Sequence, residues 1–291
     1  MIFNKFFILF KIGRKIGKSN IINIVSETHK IPVFIKLFFN LLAFSFSSSN
    51  NTKSKGKENL SESIQEMGTT FIKLGQFLAT RPDIIGEKLS KELESLQDKL
   101  PPFSKKEAEK IIIENLGQSN FDDIIDLSEP IAAASIAQVH KAKIKEDNII
   151  KNVAIKVLRP NIKKIFNDEI DAIMLLAYIV ESLISKTKRL KLIEVVFLFK
   201  EITNHEMDLR FEAAAANEYA ENTKNDLGFF VPKIYWNFTS ESVLTLDWVD
   251  GVSIREKDLL KEKNIETSKI ATNLIQHFLR HAVRDGFFHA D

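Results

Sequence analysis

The chain has 291 residues, 44% hydrophobic and 27% charged, enough apolar mass for one large core or two modest ones. Its 41 basic and 39 acidic residues leave a net charge of +2, so no global field recruits nucleic acid or another polyanion. With no cysteine, disulfides, thiolate metal sites and cysteine nucleophiles are excluded.

The amino-terminal segment is basic and apolar. The first acid is Glu27, and before it Lys5, Lys11, Arg14, Lys15 and Lys18 stand among Ile2, Phe3, Phe6, Phe7, Ile8, Leu9 and Phe10. A second apolar stretch, Ile31–Phe46, is interrupted by Pro32, Lys36 and Asn40. It falls short of the ~18 uninterrupted apolar residues of a spanning helix. Two readings stay open: a segment lying on an anionic membrane surface, and an amphipathic helix packed on its own domain. No Ala-x-Ala-like site follows, and the segment is Lys-rich rather than Arg- and Ser-rich, which argues against secretory and mitochondrial leaders.

Ser47–Lys57 has neither periodicity nor core formers and reads as a linker. Beyond it, Ile64, Met67, Phe71, Leu74 and Leu78 recur at helical steps, predicting one helix to about Thr80, stopped at Arg81-Pro82-Asp83. Short helices are expected over Gly86–Gln97 and Lys105–Asn115. Ile131 with Ile136–Ile144, then Asn152–Leu158, read as strands. Two long helical patterns cover Ile162–Leu183 and Leu192–Asn222. A second strand pair is expected at Val231–Trp236 and Ser242–Trp248, and a final helical region reaches Asp285. Strands, helices, strands and helices in that order describe an α+β chain, a small mixed lobe leading into a helical one.

Lys156 interrupts an apolar strand and shares a face with Ala154 and Leu158. An ammonium there is either on an exposed edge or paired with an anionic ligand or carboxylate. Candidate carboxylates are Glu169 on the next helix and the cluster Glu206, Asp208 and Glu212, in which Asp208 and Glu212 are expected on one helical face. The run Ala132-Ala133-Ala134-Ser135 stands where a phosphate-binding loop would be glycine-rich; alone it equally reads as a packing contact. In Lys73-Leu74-Gly75-Gln76, a mid-helix glycine points to close approach of another backbone.

KLGQ, AAASIAQVHKA, VAIKVLRP, EMDLRFEAAAAN and FFHAD, in this order, resemble the UbiB family of atypical protein-kinase-like proteins linked to ubiquinone biosynthesis. The likeness covers roughly Leu60 to Asp291 and implies a protein-kinase-like fold with extra amino-terminal helices. Composition divides off 1–46 as membrane-associating helices and 47–57 as a linker, and the likeness implies 58–128 as a helical extension, 129–250 as a kinase-like lobe with a helical insertion, and 251–291 as the start of the second lobe. It further implies ATP or ADP with Mg²⁺ as cofactor and an ATPase or atypical kinase activity. By the same resemblance Lys156 is the phosphate lysine and Glu212 its ion-pair partner. Ala132, Ala133, Ala134 and Ser135 form the nucleotide loop, and Glu206 and Asp208 lie beside the nucleotide. Backbone at Asp247 and Val249 would meet adenine, Lys73, Gly75 and Gln76 would occlude the site, and Asp291 is the catalytic-loop aspartate. The resemblance implies ubiquinone-biosynthesis proteins or prenyl-lipid intermediates as partners and the cytoplasmic side of a bacterial inner membrane as the place, while the basic apolar start suggests an anionic membrane surface and the balanced charge no nucleic acid. Family members carry a metal-binding Asn and an Asp-Phe-Gly beyond this aspartate. Neither is present here, so the expectation is a truncated polypeptide, inactive unless a second chain supplies the missing lobe.

Two rival classes remain. One is a non-catalytic scaffold for lipid or protein. The other is a metal site, because His277 and His281 are one helical turn apart with Asp285, His289 and Asp291 nearby.

Overall fold

The computed structural model describes residues 2–18, 21, 60–96, 100–183 and 185–289. The expected linker, the apolar stretch Ile31–Phe46 and Asp291 lie outside the described residues. The chain forms two compact units, Met1–Pro101 with Ala133–Ile136 and Arg159–His205, and Pro102–Ala132 with Ala137–Leu158 and Glu206–Asp291.

The first unit is built of helices. The basic helix Ile2–Lys18 buries Ile12 against Met67, Phe71 and Ala172, with Ile8, Leu9 and Ile16 alongside, and Lys15 Nζ donates to Met67 O at 2.8 Å. Its Phe7 and Phe10 face outward. The single helix expected to run to Thr80 is two, Leu60–Met67 and Thr69–Ala79. Gly68 separates them at φ 104°, a conformation open to glycine, and its carbonyl accepts from Phe71 and Ile72 to begin the second. Phe199 of the Leu192–Glu206 helix packs against Phe166 of the Ile162–Leu183 helix and against Phe77, each at 5.5 Å between ring centroids.

The second unit carries the sheet. Among the described residues its strands are β1 Ile124–Ile125, β2 Pro130–Ala133, β3 Ala137–Glu146, β4 Ile149–Leu158 and β5 Val243–Asp247. The order is β1-β3-β4-β5, antiparallel throughout that path, with β2 on β3. Asp147 and Asn148 close the β3–β4 hairpin at φ 50° and 63°, the positive values that a two-residue turn between twisted strands needs. On one face of β4, Val153, Ile155 and Val157 are fully buried against Ala108 and Ile112 of the Lys105–Leu116 helix. A capping box of Ser104 and Glu107 starts that helix.

Two further expectations about elements fail for local reasons. Val231–Trp236 makes only one bridge, Ile234 to Leu246, because Pro232 has no N–H for a ladder and Trp236–Phe238 coils into a 3₁₀ turn. The pattern Leu192–Asn222 is two helices, Leu192–Glu206 and Leu209–Thr223. No helix among the described residues is long and apolar enough to cross a membrane.

Candidate functional site

Strand alternation turns Lys156 away from the buried Val153–Val157 face, toward the Leu209–Thr223 helix. Asp208 opens that helix. Its side chain accepts from the Arg210 N–H, and the Leu209 N–H donates to Glu241 O at 3.0 Å, tying the helix start to the turn before β5. Glu212 then falls in the first turn, where a carboxylate is favoured by the helix dipole. Lys156 Nζ meets Glu212 Oε2 at 2.7 Å. The two side chains remain 27% and 49% exposed, so a ligand can reach the pair.

Glu212 also lines an apolar cleft of about 580 Å³. Ala215, Ala216 and Tyr219 form one wall, Val231, Pro232 and Ile234 a second, Leu244 and Leu246 the sheet side, and Phe287, Phe288 and His289 the remainder. Leu244 is the β5 partner of Lys156, which puts the lysine's strand position beside this cavity. The arrangement offers a cation–carboxylate pair at one side of an apolar space, the features a phosphate-bearing aromatic ligand requires.

The other expected residues fare unevenly. Asp208 does not share a helical face with Glu212 as its spacing suggested, because its backbone is extended (φ −117°, ψ 97°) ahead of the Leu209–Thr223 helix. Glu206 ends one helix, and Asp208 is the cap of the next because its carboxylate satisfies a helix N–H. Asp208 is also held by the Arg210 guanidinium at 2.9 and 2.6 Å, so a metal ion there would have to displace an arginine. The Asp247 N–H is already donated to Lys233 O at 2.9 Å, and its carboxylate accepts from the Tyr235 hydroxyl at 2.6 Å. Burial, with Asp247 next, raises the Tyr235 phenol above its ordinary range. Val249 is exposed just beyond β5.

In the helical unit, Ala134 of the alanine run is pinned by a residue the motif reading passed over. The Arg159 guanidinium donates to Ala134 O through Nε at 3.0 Å and a terminal nitrogen at 2.8 Å, and to Pro101 O at 3.0 Å. Ser135 is fully buried, and its carbonyl accepts from the Thr69 hydroxyl at 3.2 Å. Ala132 belongs to the sheet unit and is exposed within β2, and Ala133, the half-buried last residue of that strand, falls in the helical unit. Lys73 and Gln76 are half-buried on the Thr69–Ala79 helix. Gly75 is indeed closely approached, though by the Leu96 side chain rather than by backbone: a Cβ would overlap Leu96 Cδ1 and lie 3.4 Å from Ile64 Cγ2.

His277 and His281 come together as their spacing requires, but with Asp226 instead of Asp285 or His289. Asp285 is bound to Arg284 at 2.6 and 2.7 Å. Arg284 also holds the Asp226 carboxyl well below the usual carboxylate range.

The ABC1 atypical kinase-like domain matches residues 95–291. A protein of Marinobacter nauticus named "Probable protein kinase UbiB" is 34% identical over 263 residues, 90% of this chain and 47% of that protein. One of the same name from Pseudomonas paraeruginosa is 30% identical over 285 residues, 97% of this chain and 53% of its own length. The chain thus spans about half the length of the curated relatives it matches. Among solved structures, the complex of Rv3197 with erythromycin from Mycobacterium tuberculosis is similar at a TM-score of 0.46 and 26% identity, covering 63% of this chain and 44% of that one.

Proposed function

The chain belongs to the ABC1 atypical kinase-like family, and from that premise we propose that it binds ATP or ADP through Lys156 in support of ubiquinone biosynthesis. The observation that carries this reading is the 2.7 Å pair of Lys156 and Glu212 beside an apolar cleft. In this assignment Glu212 holds the ammonium extended, and Lys156 neutralises phosphate charge. Leu246 and Val249 border the base, and the carbonyl of Asp247 accepts from it. Kinase-type turnover uses Mg²⁺ held by a catalytic-loop Asn and an Asp-Phe-Gly aspartate. Within this chain the Asp208 carboxylate is engaged by Arg210, so a cation at that carboxylate would compete with the guanidinium.

Titration of the chain with a fluorescent ATP analogue tests the reading: saturable binding displaced by ATP supports it, and none at millimolar nucleotide refutes it. We further propose peripheral association of residues 1–46 with an anionic membrane, such as the cytoplasmic face of a bacterial inner membrane. It is supported by the Lys-rich start and the outward Phe7 and Phe10. Liposome flotation should weaken with salt and on deletion of 1–46; full binding by the deletion counts against it. A scaffold for lipid or protein is the second reading. It is favoured by the exposed Leu274, Ile275, Phe278 and Leu279 on the Thr267–Arg280 helix, a surface suited to a prenyl-lipid intermediate, a biosynthetic partner or a second chain.

A further inference from the structure

A buried polar cluster in the sheet-bearing unit is left unused by the nucleotide reading. His277 lies in the last turn of the Thr267–Arg280 helix, and His281 begins the π-turn that follows. Asp226 comes from the turn after the Leu209–Thr223 helix, its N–H donating to Thr223 O at 2.8 Å. One ligand atom from each of the three lies within 4.8 Å of the others. His277 and His281 are 8% and 0% exposed, and His277 Nδ1 has no hydrogen-bond partner. A buried ring nitrogen without a partner is unfavourable unless something else binds there.

We propose that Asp226, His277 and His281 form a Zn²⁺ site with an open fourth position for water. Imidazole and carboxylate are donors zinc accepts, and three protein ligands with one open position is a common arrangement for it. The surroundings already orient the donors. The Tyr219 hydroxyl lies 2.7 Å from His281 Nδ1, leaving Nε2 directed at Asp226 Oδ2, 2.9 Å away. Phe229 packs on both imidazoles at centroid distances of 5.2 and 4.9 Å, and the two rings stand 5.6 Å apart. Ligand bonds of about 2.0–2.2 Å would draw the donor atoms to about 3.3 Å from one another, a modest contraction.

The competitor is Arg284, which donates to both oxygens of Asp226 at 2.8 and 3.0 Å, with Arg280 at 3.5 Å. Metal entry takes Oδ2 from His281 and Arg284. Arg284 keeps a second anchor on Asp285, at 2.6 Å, so it can yield that oxygen without losing every partner. Its charge still opposes the cation. The site therefore predicts opposite effects for a ligand and its competitor: removing His277 weakens metal binding, and removing Arg284 strengthens it.

The experiment is calorimetric titration of the metal-stripped full chain with Zn²⁺. The expected result is one zinc per chain, with affinity at least ten-fold lower in His277→Gln and higher in Arg284→Gln, circular dichroism verifying that each variant is folded. Titration of the unaltered chain with Co²⁺ is independent of any variant and should give the intense visible bands of four-coordinate nitrogen–oxygen ligation. Absence of saturable Zn²⁺ binding, an octahedral Co²⁺ spectrum, or unchanged affinity in folded His277→Gln would overturn the proposal. Because ATP affinity is read separately, failure here leaves the nucleotide reading standing.

Discussion

Replacing Lys156 by methionine keeps the apolar stem and removes the ammonium. The pair it breaks is partly solvated, with side chains 27% and 49% exposed, so its loss should cost about 0–1 kcal/mol, as for surface pairs, rather than the several kcal/mol of a buried one. For a chain of this size that is a fall in Tm of at most about 4 °C. Nucleotide affinity should respond far more. A hydrogen bond to a charged group contributes about 1.5–3 kcal/mol, so losing the phosphate contact should weaken binding by about 10- to 100-fold. Glu212→Gln removes the holder but keeps the cation, and should weaken binding by only a few-fold. Differential scanning fluorimetry and anisotropy titration with a fluorescent ATP analogue read the two effects separately. A Tm loss above about 8 °C with nucleotide affinity unchanged would refute the reasoning, since Lys156 would then serve the fold and not a ligand.

Gly75→Ala gains up to about 1 kcal/mol of helix propensity but overpacks against Leu96 and Ile64, at a cost of about 1–3 kcal/mol. Net destabilisation is expected in chemical denaturation, and it should shrink or reverse in the double variant with Leu96→Ala. His140 is fully buried, its Nδ1 donating to Ser128 O at 2.8 Å and its Nε2 accepting from the Gln138 amide at 2.9 Å. Burial lowers its pKa, so its contribution is complete above about pH 6.5, the range of an exposed imidazole, and is lost as pH falls toward the folded value. Unfolding free energy should drop by up to about 1.4 kcal/mol per pH unit below that point, with a shallower slope in His140→Gln; equal slopes would count against it. Arg159→Lys loses the two-pronged hold on Ala134 and Pro101, and should cost about 1–3 kcal/mol of stability in the same assay. A value near zero would show that solvent replaces those bonds.

Regular elements were legible where one period ran without interruption. The Ile162–Leu183 helix has the limits its pattern predicts, and the β3–β4 hairpin follows from alternation around a Glu/Asp/Asn turn. Breaks were not legible, because Gly68 and Asp208 sit inside apolar repeats that continue on both sides. Only the backbone shows that one takes positive φ and the other caps a helix. The pairing of Lys156 with Glu212, 56 residues apart, was anticipated from the order of motifs, whereas strand proximity alone would have favoured Glu169. Asp226 was missed because a lone aspartate in a polar turn carries no spacing relation to His277 and His281. Arg159 was missed because an arginine before proline at a strand end reads as a turn, although its fork is what fixes the Ala134 carbonyl.

The claim that Lys156 faces bound nucleotide phosphate is tested most directly by an acyl-phosphate derivative of ATP, which transfers its acyl group to a lysine lying beside the phosphates. Peptide mapping of the labelled chain by mass spectrometry should find the modification on Lys156, suppressed by excess ATP and absent in Lys156→Met. Labelling spread over other lysines, or label on Lys156 that ATP does not suppress, would contradict it.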